Sequence, residues 1–216
     1  MNIEYIIVVI GVILVSMTLH EAMHGYMAYF LGDDTAKLQG RLTLNPLKHI
    51  DPFLTLLLPL MLAVIGAPIF GGAKPVPFNP ARLKYDEWGA ALVAFAGPLT
   101  NFFIAFVIFG VSVLVGHPVD LNVPPQDFLG TVLYLGVMVN LGFFIFNMIP
   151  IPPLDGSRVL YALAPEFIRR GMELMERFGI VVIFVIILIA GSALGTIMVT
   201  AMNAIIMLFS HIFGLT

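Results

Sequence analysis

The sequence contains no cysteine. That excludes disulfide cross-links and thiolate metal ligands, so any metal centre must be built from His, Asp or Glu. Charge is scarce too. Only 11% of the 216 residues are Asp, Glu, Lys or Arg, where a soluble domain carries roughly a quarter. The formal net charge is −3, and no basic patch with interleaved aromatics occurs, so there is no signature of nucleic-acid binding. The first apolar run, from Ile3 to Leu19, does not read as a cleavable leader. It has no positive segment ahead of it and no small-residue cleavage site. Internal repeats and low-complexity segments are also missing.

What is present is apolar. Hydrophobic residues make up 60% of the chain, and several runs reach the roughly 20 residues needed to cross a bilayer. The expected class is an all-α polytopic membrane protein with five to six transmembrane helices. Ile3 to about Leu31 reads as one long helix ended by Gly32-Asp33-Asp34. Residues 36–44 alternate at period two and read as a short strand or hairpin at the membrane surface. Residues 53–70 are apolar but interrupted by Pro59 and Pro68, which suggests a broken span or a re-entrant segment between the first and second core helices. A proline-rich extended loop, Ala73-Lys74-Pro75-Val76-Pro77, follows. Residues 88–116 and 128–149 read as further spans. Residues 150–156 are broken by prolines, and an Arg-bearing amphipathic connector follows. The last 39 residues are too long at roughly 58 Å for one span. Gly191 to Gly195 is the expected turn of a C-terminal helical hairpin over 172–216.

Lys and Arg are concentrated in loops 32–52, 71–87 and 150–177, while loop 117–127 has none. The positive-inside rule places the first three in the cytoplasm, within a cell membrane. Two basic loops on one side of 53–70 favour the re-entrant reading of that segment.

The chemistry sits in the first helix, at His20-Glu21-Ala22-Met23-His24. Two imidazoles four residues apart lie one turn apart on one helix face and can share one Zn²⁺. Glu21 is rotated about 100° from His20, which leaves it free to act on a water. Ionisable groups inside a membrane-length run are costly and mark function. His24 lies roughly 14 Å below the charged boundary at Asp33. A hydrolytic zinc takes three protein ligands and leaves one position open. Asp155, in a proline-broken turn on the same side of the membrane, is the best third candidate, and His49 is its competitor. For Asp155 the plainer reading is a helix cap. For Asn147 and Asn140 it is interhelical hydrogen bonding, and for Gly97 and Pro98 it is helix packing.

These residues also carry a resemblance. The His20–His24 motif in the first span, Ala96-Gly97-Pro98-Leu99-Thr100-Asn101 in a middle span and Asn147-Met148-Ile149-Pro150-Ile151-Pro152-Pro153-Leu154-Asp155-Gly156 after a later one resemble the site-2 protease family of intramembrane zinc metalloproteases. Gly40-Arg41-Leu42-Thr43-Leu44-Asn45-Pro46 and the 73–77 loop are similar to a compact bacterial and archaeal subgroup. The resemblance implies one zinc per chain on His20, His24 and Asp155, and Glu21 as general base and acid. It implies Asn147 as a substrate or oxyanion contact, and hydrolysis of a peptide bond in or near a transmembrane segment of a membrane-protein substrate. It also implies a single integral-membrane metalloprotease domain over 1–216, with a core at 3–160 and the active site toward the cytoplasmic half. The edge over 36–44 could receive an unwound substrate by strand addition. Larger members carry an earlier span, a PDZ-like insertion or a nucleotide-binding domain, none of which is recognisable here. The rival expectation is a non-proteolytic zinc-binding membrane scaffold or metal carrier. Glu21 separates the two, because a pure binder does not need a non-ligating carboxylate beside the first His.

Overall fold

The computed structural model describes residues 3–51 and 73–215. The described residues form seven α-helices. They are α1 (Ile3–Phe30), α2 (Thr35–Leu38), α3 (Asp86–Leu114), α4 (Phe128–Asn147), α5 (Asp155–Leu163), α6 (Glu166–Phe178) and α7 (Ile180–Ile212). Four of them, α1, α3, α4 and the stretch Val181–Ile212 of α7, are long and apolar enough to cross a membrane. The expectation for 53–70 lies outside the described residues.

Helix α3 is the centre. It packs against α1, α4, α5 and α7. Its N-terminal half is lined by Ala90, Ala91, Ala94, Ala96 and Gly97, all buried. Small residues let helix backbones approach closely where lipid supplies no hydrophobic drive between helices. Ala28 of α1 and Leu31 just beyond its end pack there against Ala90 and Val93 of α3 and against Leu83. The C-terminal half of α3 builds the main apolar core. Ala105 and Phe109 meet Val137 and Leu141 of α4 and Ile206 and Phe209 of α7. Phe209 packs edge-on against Phe102, Phe106 and Phe109.

Two expectations are corrected. Residues 36–44 are not a strand or hairpin. The Asp33 carboxylate accepts from Thr35 N at 3.0 Å and from Thr35 Oγ1 at 2.5 Å, which starts the single helical turn α2. Gly40, at φ +64°, then closes it, with Arg41 N–H bonded to Ala36 O at 2.8 Å and Gly40 N–H to Lys37 O at 3.0 Å. This is a Schellman ending. The period-two pattern was one helical turn plus its cap, so the proposed edge for strand addition is absent there. The C-terminal hairpin is also replaced by one helix. α7 runs from Ile180 to Ile212 with a kink at Ala190 (φ −122°, ψ 16°). In lipid a chain reversal would leave main-chain groups unpaired. Gly191 and Gly195 come with no Pro, Asn or Asp to build a turn, so the helix continues.

Candidate metal centre

The α1 motif faces α3. His20 and His24 are buried, at 7% and 8% exposure. His24 Nδ1 lies 2.7 Å from the Val93 carbonyl of α3. His20 Nδ1 lies 2.6 Å from Asn101 Oδ1. Each ring therefore carries a proton on Nδ1, donated to an oxygen, and turns Nε2 the other way. The two Nε2 atoms are 3.0 Å apart.

Asp155 is the first residue of α5. Its Oδ2 lies 3.1 Å from His20 Nε2 and 3.4 Å from His24 Nε2. The turn that brings it there is tight: a Cβ on Gly156 would run into the Met148 carbonyl. Three ligand-capable atoms thus converge at 3.0–3.4 Å. Ligands about 2.0–2.1 Å from a tetrahedral zinc stand about 3.3 Å apart, so the donor set fits zinc in both chemistry and spacing.

Ligand-capable atoms of His20, Glu21 and His24 lie within 4.8 Å of one another. Glu21 nonetheless points to a different partner. Its Oε2 accepts from the Val76 main-chain N–H at 2.8 Å. The extended segment 73–79 is laid against Glu21 of α1 and the stretch 33–49 by main-chain hydrogen bonds. Lys74 N donates to His49 O at 2.8 Å, Arg41 Nη2 donates to Lys74 O at 2.8 Å, and Val76 N donates to Glu21. Asn79 N donates to the Asp33 carboxylate at 2.5 Å. Pro75 and Pro77 have no N–H to donate.

His49, the competitor for the third ligand position, is elsewhere. Its Nε2 bonds the Thr43 carbonyl at 2.8 Å. Asn147 Nδ2 donates to Phe143 O of its own helix at 3.0 Å. Two residues of the site were missed as such. A Cβ on Gly97 would stand 2.8 Å from His20 Nε2 and closer still to His24 Nε2, so Gly97 borders the metal position. Asn101 is fully buried and holds His20. Their spacing was the available signal: Gly97 and Asn101 are one turn apart on α3, as His20 and His24 are on α1.

The profile of "Peptidase family M50" matches residues 115–191. A protein of Bacillus subtilis (strain 168) named "Putative zinc metalloprotease YwhC" is 38% identical over 204 residues, covering 93% of this chain and 90% of that one. The chain belongs to peptidase family M50, the site-2 proteases. A second relative, "Putative zinc metalloprotease Rip2" of Mycolicibacterium smegmatis (strain ATCC 700084 / mc(2)155), is 31% identical over 84% of this chain and 67% of its own length. The solved site-2 protease from Methanocaldococcus jannaschii aligns with a TM-score of 0.44 and 20% identity over 97% of this chain and 85% of that one. As an M50 member the chain is a zinc metalloprotease, and its apolar helices make it a multi-pass membrane protein.

Proposed function

We propose that this chain cleaves peptide bonds within or next to transmembrane segments of membrane proteins. In this reading His20, His24 and Asp155 hold one zinc, and Glu21 is the general base and acid. The observation that carries it is the meeting of His20 Nε2, His24 Nε2 and Asp155 Oδ2 inside a bundle of membrane-length helices.

Zinc, when bound, makes a water acidic and polarises a scissile carbonyl. The protein's own groups do the rest. Glu21 takes the proton of the attacking water on its carboxylate and returns it to the leaving amide nitrogen. Val76 N–H fixes the carboxylate oxygen that does not take the proton. Val93 and Asn101 hold the two imidazoles so that neither rotates out of position. Asn147 contributes a side-chain amide near the Asp155 turn that can donate to the substrate backbone or an oxyanion. To do so it exchanges its bond to Phe143.

The positive loops favour a position for this centre in the cytoplasmic half of a cell membrane. Because the chain has no cysteine, single cysteines placed at Lys84 or Asn122 report sidedness directly. Labelling of Lys84→Cys from outside intact cells would reverse the orientation.

The deciding experiment compares the purified, zinc-loaded protein with Glu21→Gln on a panel of transmembrane peptides. Wild type cleaves at least one peptide, and Glu21→Gln retains zinc but loses on the order of 10²–10⁴ in rate. Equal cleavage by the two, with zinc retained, overturns the role of Glu21.

A further inference from the structure

We infer that Asn101 and Asn140 form a relay that fixes the tautomer of His20, so that a residue on α4, two hydrogen bonds away, sets the zinc affinity of a ligand on α1. The inference rests on the proposed zinc site.

The relay starts at groups whose polarity is not negotiable. Asn140 donates through Nδ2 to the Gly136 carbonyl at 2.8 Å and to Ser16 Oγ at 2.9 Å. A carbonyl only accepts, so the amide nitrogen of Asn140 must face it. Its Oδ1 is thereby turned toward Asn101, which must answer with a donor. Asn101 Nδ2 donates to Asn140 Oδ1 at 2.8 Å and reaches the Ser16 carbonyl at 3.4 Å. With both amides oriented, Asn101 has only Oδ1 left for His20. That oxygen lies 2.6 Å from His20 Nδ1, so Nδ1 must carry the proton and Nε2 must present a lone pair to the metal position.

Burial gives the relay its force. Asn101 is 0% exposed, Asn140 1% and Ser16 3%. Groups so buried are out of reach of bulk solvent, and reversing either amide would set like groups against each other in a low-dielectric interior. His24 needs no such relay, because its Nδ1 meets the Val93 carbonyl directly. The two ligands are thus set by different means. His24 is held by a helix backbone, and His20 by side chains that the sequence is free to change. Asn101 and Asn140 are positioning residues. They touch no reacting atom.

Outer partners of this kind are typically worth 10–100-fold in metal affinity. The test uses full-length protein in detergent. Zinc affinity is measured by chelator competition and ligand geometry by the visible spectrum of the cobalt-substituted protein. Asn101→Leu keeps the branched shape and removes the acceptor, and is expected to weaken zinc by 10–100-fold and alter the cobalt bands. Asn101→Asp restores an acceptor for His20 Nδ1 and is expected to recover at least half of the lost affinity on a logarithmic scale. Asn140→Leu, which touches no ligand, is expected to weaken zinc about tenfold.

A packing role alone predicts lower thermal stability with wild-type zinc affinity and cobalt spectrum. That result for Asn140→Leu, or for Asn101→Leu, overturns the relay. So does a loss of zinc by Asn101→Asp equal to that of Asn101→Leu. If Asn101→Leu does not fold, Asn101→Asp and Asn140→Leu decide. His20→Ala separates the two levels. If it keeps wild-type zinc affinity, the metal site itself is wrong. If it loses zinc while the asparagine variants do not, only the relay falls.

Discussion

The Glu21 carboxylate accepts a hydrogen bond from the main-chain N–H of Val76 at 2.8 Å, across 55 residues of sequence. An N–H from a segment outside the helices thus engages one oxygen of the motif's carboxylate. Val76 lies between Pro75 and Pro77, so its backbone already follows an extended path that proline can take.

Val76→Pro therefore removes the donor with little change of path. Zinc content should stay at the wild-type level while kcat on a transmembrane peptide falls about tenfold. That corresponds to ~1.4 kcal/mol, the low end for a hydrogen bond to a charged group. An unchanged kcat would show that Glu21 does not depend on this contact.

Asp155 and His49 were the competing third ligands, and they have different partners in the structure. Asp155 meets both imidazoles, and His49 bonds the Thr43 carbonyl. Asp155→Ala should lower zinc from one per chain to near zero after dialysis, while His49→Ala should retain it. Atomic absorption on the two proteins reads this out, and the reverse pattern would exchange their roles.

Gly97→Ala places a methyl group against both Nε2 atoms. Neither imidazole can retreat without breaking its bond to Val93 O or Asn101. The variant should bind zinc at least tenfold more weakly, measured against a chelator, an effect like that of losing an outer-shell partner. Gly11→Ala on α1, where a Cβ meets nothing within 4 Å, is the control and should bind as wild type.

Asp33 ties the 73–79 segment to the end of α1 and is fully buried. Burial works against its charge, but hydrogen bonds from the Thr35 hydroxyl, the Asn79 N–H and the Thr35 N–H, with Arg82 nearby, hold its carboxyl below the usual aspartate range. A lowered folded-state value means that the carboxylate stabilises the fold fully above the ordinary aspartate pKa of ~3.9 and loses that contribution as pH falls below it through the lowered value. Asp33→Asn should cost about 1–3 kcal/mol at neutral pH. Thermal unfolding in detergent should show the gap from wild type narrowing below about pH 3.9. A gap independent of pH would mean that the charge contributes nothing.

Much of this was present in the order of residues. The apolar runs account for the four membrane-length helices among the described residues, because in lipid only internally bonded backbone can span. The His pair was legible because four residues make one helical turn. Gly32 ended α1 as expected, with a Schellman bond from Asp33 N–H to Ala28 O at 2.9 Å. The pattern misled where local signals were short. Over 36–44 the alternation was too brief to tell a capped helical turn from a strand. At 191–195 length argued for a hairpin, yet the unmet main-chain groups of a turn in lipid outweighed the cost of an over-long kinked helix.

The sequence by itself determined the membrane class, the residue types able to hold a metal and the carboxylate set apart from them. These follow from composition and helical period, which are local. The tertiary structure decided that Asp155 and not His49 meets the imidazoles, that Gly97 borders the metal position, and that Asn140 reaches His20 through Asn101. Each of those is a meeting between helices dozens of residues apart. Which faces meet depends on how α3 packs between α1 and α4, and no periodicity within one helix encodes its rotation against its neighbours.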